Sequence, residues 1–132
     1  MKKTALLRSF FCTVHLIIHS LFVNLYRKSH RINMKLFFRT IGEGTPLIIL
    51  HGLWGASENW LPIAHLLEDK FQVILPDVRN HGQSPHDEAM NYEEMSNDVI
   101  ELIKDLKLPV RPHIVGHSMG GKIVMALLLK RP

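Results

Sequence analysis

The sequence predicts an α/β fold, a parallel sheet flanked by helices, and three observations lead there. Short all-apolar runs such as LIIL at residues 47–50 have the character of strands buried on both faces. Segments between the runs place apolar residues three and four positions apart, as amphipathic helices do. The resulting order of strand, helix, strand, helix, strand, helix is that of a sheet wound with right-handed crossovers.

The elements follow in order. KLFFR at 35–39 reads as a strand and IGEGTP at 41–46 as the turn that ends it, ahead of the apolar run at 47–50. HGLWGASENW at 51–60 is a glycine-containing loop, after which Trp60, Ile63, Ala64 and Leu67 keep helical spacing. FQVIL at 71–75 is the next strand, and PDVRNHGQSPHDEAMN at 76–91 is a long polar loop. A helix is expected from Tyr92, with Met95, Val99, Leu102, Ile103 and Leu106 on one face. Asn91 as its N-cap, with Glu94 three residues on, makes a variant of the capping box. PHIV at 112–115 is the last strand and residues 119–130 the last helix. The loops beginning at His51, Asp77 and Gly116 each follow a strand directly. They are expected together on the carboxyl edge of the sheet, where folds of this kind build their sites.

Length and composition bound the rest. At 132 residues there is room for one domain, with the apolar and charged content of a globular protein. The single Cys12 permits no internal disulfide and no Cys/His group has zinc-finger spacing, so neither an oxidised scaffold nor a structural metal is indicated. A reducing, cytoplasmic setting fits best. The net charge of +4 joins two unlike parts: residues 1–33 hold six basic residues and no acid, while the remainder holds ten basic and twelve acidic ones. The chain therefore divides into a basic leader, 1–33, and a truncated α/β domain, 34–132. The apolar run at 10–26 in the leader is interrupted by His15, His19, Ser20 and Asn24. It falls short of the roughly 20 apolar residues of a membrane span, and no small-x-small cleavage site follows it. Upstream sequence ahead of a start at Met34, an export signal or membrane anchor, and a transit peptide are its three readings, with membrane contact not favoured. With no aromatic platform interleaved among its basic residues, the leader is not expected to bind nucleic acid.

The chemistry is concentrated in IVGHSMGGKIVM, residues 114–125. Gly116-His117-Ser118-Met119-Gly120 fits G-x-S-x-G, in which a serine stands on a sharp, strained turn from strand to helix. A side chain at Gly116 or Gly120 would collide with the neighbouring strand or helix, and Gly121 allows closer packing still. Ser118 is the candidate nucleophile; a helix N-cap is the other role open to it. A serine hydroxyl needs a base beside it, and the oxyanion it generates needs donors already in place. The backbone N–H of Met119, at the positive end of the following helix, and that of Leu53 in HGLWG are the expected oxyanion hole. His51, Gly52, Trp54 and His117 are expected to border the substrate pocket, although Trp54 reads equally as a packed loop aromatic. Trp60 is expected in the core, and Asp77, Arg79, Asn80 and His81 as a hydrogen-bonded scaffold. His81, His86, Asp87 and Glu88 have no ligand spacing, so no metal is expected.

LIILHGLWGASENW, ILPDVRNHGQSPH and IVGHSMGGKIVM, in this order, resemble the N-terminal half of a serine α/β-hydrolase. Within that superfamily the pairing of DVRNHGQSPH with GHSMGGK is most similar to the small esterases of the YbfF type and the ABHD11-like hydrolases. The similarity covers residues 34–132. It implies the α/β-hydrolase fold with an incomplete parallel sheet, and hydrolysis of a small-molecule acyl ester or thioester with no cofactor. Ser118 would attack, with the Leu53 and Met119 amides holding the oxyanion. Serine at the elbow, in place of aspartate, argues against the dehalogenase and epoxide-hydrolase branches. In the family pattern the acid and the histidine follow the nucleophile. Here fourteen residues follow Ser118 and none is Asp, Glu or His. The chain is therefore expected to be a fragment, nearly inactive by itself, with strands beside PHIV missing. A carbon–carbon bond hydrolase, a lysophospholipase, an iminopeptidase and a non-catalytic membrane-associated or binding protein are the alternatives.

Overall fold

A computed structural model describes residues 34–130, so the leader at 1–33 lies outside the described residues. Strands β1 (Phe38–Ile41), β2 (Thr45–Leu50), β3 (Phe71–Pro76) and β4 (His113–Gly116) form one sheet in the order β1-β3-β2-β4. A single 3-10 turn, Ser57–Trp60, leads into α1 (Leu61–Leu67); α2 is Tyr92–Leu106 and α3 is Met119–Lys130.

Strands β2, β3 and β4 are parallel, with Leu47 opposite Val73 and Leu50 opposite Gly116. The expectation of a wholly parallel sheet needs correcting at β1, which runs antiparallel to β3. Its residues alternate between exposed and half-buried, the habit of an antiparallel edge strand rather than of a strand covered on both faces. The strand also begins later than KLFFR. Residues 34–37 are tied down irregularly instead: Met34 and Leu36 pack against Leu102, and the Phe37 N–H donates to Ser84 Oγ at 2.9 Å.

Alternate residues of β2 and β3 enter different halves of the core. Ile48, Leu50 and Ile74 pack with Met95, Val99, Ile123 and Leu127 of α2 and α3. Leu47, Ile49, Val73 and Leu75 pack with Ala64 of α1 and with Trp60 beside it. Each buried Leu, Ile, Val or Met among them stabilises the fold by about 1.5–3 kcal/mol. An exposed ion pair such as Lys104–Glu101 adds at most about 1 kcal/mol, so this central strand pair carries the fold.

Helix α2 starts as its sequence implies: the Asn91 side chain accepts from the Glu94 N–H at 2.9 Å. The expected box is half formed, because the Glu94 carboxylate turns toward Arg79 and Asn97 instead of back to the cap. The parallel strands deliver the loops after β2, β3 and β4 to one edge. The His51 and His81 rings lie 5.1 Å apart there, and the His117 N–H donates to the Leu50 carbonyl at 3.0 Å.

Candidate active site

The turn from β4 into α3 is as tight as its glycines imply. A Cβ on Gly116 would run into the Gly120 backbone, and one on Gly120 into the Leu50 carbonyl. One on Gly121 would stand 3.2 Å from the Gly116 carbonyl oxygen. The Gly120 N–H closes the turn onto the His117 carbonyl at 2.8 Å. Between them Ser118 has a φ of +52°, in the left-handed region, and is exposed. That backbone costs a residue with a side chain about 1–2 kcal/mol. It is also not the extended backbone of an ordinary N-cap serine, so capping does not account for the residue.

The loop after β2 lies against this elbow. A Cβ on Gly52 would come within 2.9 Å of His117 Nδ1 and 3.4 Å of Ser118 Cβ. Residues 52–55 form a turn closed by the Gly55 N–H on the Gly52 carbonyl at 3.0 Å, with Trp54 at a φ of +62°. Leu53 is half exposed and Trp54 is 90% exposed, so Trp54 is not the packed loop aromatic that was its alternative reading. Trp60 packs beneath on the α1 side of the core and meets the His117 ring edge-on at 6.1 Å.

His51 is fully buried, and its partners fix its tautomer. Nε2 accepts from the Val78 N–H at 3.0 Å, so the proton sits on Nδ1, which donates to the Gly52 carbonyl at 2.8 Å. Burial pushes its pKa below the ordinary 6.5, against the pull of the Gly52 bond. The ring thus pins the loop after β2 to the loop after β3 and has no nitrogen left for proton transfer.

The loop at 77–91 is a hydrogen-bonded frame. Asp77 is buried; Oδ1 accepts from the Ser57 N–H at 2.5 Å and Oδ2 from the Gln83 N–H at 2.8 Å. Gly82, at a φ of +52°, lets the chain pass close to that carboxylate. The Asn80 side chain spans the loop, its Nδ2 donating to the Asp87 carbonyl and its Oδ1 accepting from the Asp87 N–H, and His81 Nδ1 donates to the Arg79 carbonyl. Arg79 makes a bidentate pair with Asp98 of α2, at 2.6 and 2.7 Å, and donates to the Ala89 carbonyl. The Asp98 bond raises the Arg79 pKa further against its burial. Asp98 was not anticipated. The available signal was a lone carboxylate at a core-facing position of α2, one residue before Val99.

Two hollows meet at Ser118. One, of about 500 Å³, is bordered by His51, Gly52, Trp54, Trp60, Ile63 and His117. The other, of about 330 Å³, is bordered by Met90, Asn91, Tyr92, Met95, Met119 and Lys122, most of which sequence reasoning had not linked to the site. Leu53 and Ser118 border both. Among the described residues no imidazole or carboxylate is hydrogen-bonded to the Ser118 hydroxyl, and no three His, Cys, Asp or Glu side chains are grouped as a metal site.

Comparison with known proteins sets this geometry in context. A sequence model of the alpha/beta hydrolase fold matches residues 45–132. The sn-1-specific diacylglycerol lipase ABHD11 of Xenopus laevis is 44% identical over 91 residues, covering 67% of this chain and 29% of its own length. Esterase YbfF of Escherichia coli is 41% identical over 85 residues, covering 64% of this chain and 33% of its own. A solved marine microorganism esterase superposes with a TM-score of 0.72 at 53% identity, over 75% of this chain and 38% of that one. The chain thus spans about a third of the length of the curated relatives it matches.

Proposed function

The chain belongs to the alpha/beta hydrolase family, and from that premise we propose that Ser118 is the nucleophile of a serine esterase acting on small carboxylic esters or thioesters. One observation carries the reading. Ser118 is held exposed in a left-handed backbone, on the ridge between two hollows, at the start of a helix. A substrate can lay its acyl part in one hollow and its alcohol or thiol part in the other, with its carbonyl carbon over the hydroxyl. The Met119 N–H, in the first turn of α3, has no partner within its own helix, and the positive end of the helix adds to it. With the Leu53 N–H it would form the oxyanion hole.

In the proposed reaction the Ser118 Oγ bonds to the carbonyl carbon as a base takes its proton. The bond to the alcohol or thiol breaks and the leaving group receives that proton. Water then releases the acid and restores the serine. None of the three histidines nearest the elbow is hydrogen-bonded to Ser118: His51 has both nitrogens engaged, His81 Nδ1 is held on the Arg79 carbonyl, and the His117 ring meets Trp60 edge-on. No Asp, Glu or His follows Ser118 in the sequence. Residues 1–132 alone should therefore turn over esters slowly, with the elbow and oxyanion hole leaving at most about 10³–10⁴-fold over water.

The test compares p-nitrophenyl butyrate hydrolysis by the 132-residue chain with that of the same chain joined to the remainder of the E. coli YbfF domain. Weak turnover by the chain and strong turnover by the joined form, abolished by Ser118→Ala, is the expected pattern. Strong Ser118-dependent turnover by the short chain would show that a base is already present.

A further inference from the structure

Lys122 completes the motif GHSMGGK, yet attack, oxyanion binding and the fold leave it without a role. It lies four residues after Ser118, in the first turn of α3. It borders the smaller of the two hollows at Ser118, its ammonium 5.7 Å from the centre of the Tyr92 ring. That ring holds the charge over the hollow by cation–π attraction.

The lysine differs from its neighbours in what it touches. Lys104 is paired with Glu101 at 2.7 Å, and Lys130 donates to the Glu93 carbonyl and to Asn97. Among the described residues no carboxylate stands within ion-pair distance of Lys122. The other residues bordering its hollow are apolar or uncharged, and the opposite hollow carries no lysine, arginine or carboxylate. Positive charge at the site is therefore one-sided, and the amino end of α3 adds to it.

We propose that the Tyr92–Lys122 hollow is a specificity subsite for an anionic group on the substrate. The preferred esters or thioesters then carry a carboxylate or phosphate a few bonds from the carbonyl that Ser118 attacks. The inference rests on Ser118 being the nucleophile, but its test does not require turnover.

Backbone amide NMR titration of the 132-residue chain would compare two anions with their neutral esters. Monoethyl glutarate, against diethyl glutarate, puts the charge on the acyl side; butyryloxyacetate, against its ethyl ester, puts it on the leaving-group side. The proposal expects the anion to bind about fivefold or more tightly than its neutral partner in at least one arm, moving the Tyr92 and Lys122 signals. Lys122→Met and Lys122→Gln should each collapse that preference, Lys122→Arg should keep it, and added salt should weaken it. No preference in either arm, or a preference that survives both neutralising variants, overturns the proposal. Failure of the nucleophile reading would look different: anion preference intact in the chain, with no Ser118-dependent turnover in the form joined to the rest of the YbfF domain.

Discussion

Ser118 gives up backbone comfort for position. Its φ of +52° is one that glycine adopts freely, so Ser118→Gly should raise stability by about 1 kcal/mol while removing the hydroxyl. Urea titration checks this, and a less stable glycine variant would mean that the elbow is not strained. Gly120 has the opposite sensitivity. Its added Cβ would enter the Leu50 carbonyl, so Gly120→Ala should cost about 3 kcal/mol or more, visible in the same titration. His51 links the site to pH. Burial lowers its pKa in the folded state, so below the ordinary 6.5 the unfolded chain binds a proton that the folded chain resists. This stability is fully present above pH 6.5 and is lost as pH falls toward the lower folded value. Unfolding free energies measured between pH 7 and 5 should show that decline, and His51→Gln should flatten it.

At the scale of elements, α2 and the loop before it form one unit. Arg79 and Asp98 are each about 95% buried, so Arg79→Met, which strands Asp98, should cost about 3–5 kcal/mol in chemical unfolding. Asn91→Ala, which removes only the cap, should cost about 1 kcal/mol. Most of these elements are legible in the sequence because local patterns dictate them. The all-apolar runs of β2 and β3 mark strands covered on both faces, the spacing from Met95 to Leu106 marks α2, and Asn91 marks its start. The antiparallel direction of β1 is not local. It depends on which strand offers a free edge, and KLFFR contains nothing that names β3 as its neighbour. The Arg79–Asp98 pair is hidden for the same reason: the two residues lie 19 positions apart and meet only once α2 has docked.

The whole molecule sets the conditions under which the site works. Loops from three parallel strands converge on one edge, and the strand–loop order in the sequence is enough to foresee that convergence. The second hollow was not foreseeable, since it forms where the start of α2 comes beside the start of α3. Edge strand β4 and the helix that follows it have a different character. Val115 of β4 and Met125, Leu128 and Leu129 of α3 are exposed apolar residues, and exposed apolar groups beside an open strand edge favour self-association. Light scattering of the 132-residue chain should show association that rises with concentration and falls when the chain is joined to the rest of the YbfF domain. The central claim, that Ser118 is the group that takes the acyl unit, is tested most directly in that joined form. Mass spectrometry after a brief, acid-quenched reaction with p-nitrophenyl butyrate should find one butyryl group on the peptide containing Ser118 and none in Ser118→Ala. A butyryl group on another residue, or undiminished hydrolysis by Ser118→Ala, would contradict the account.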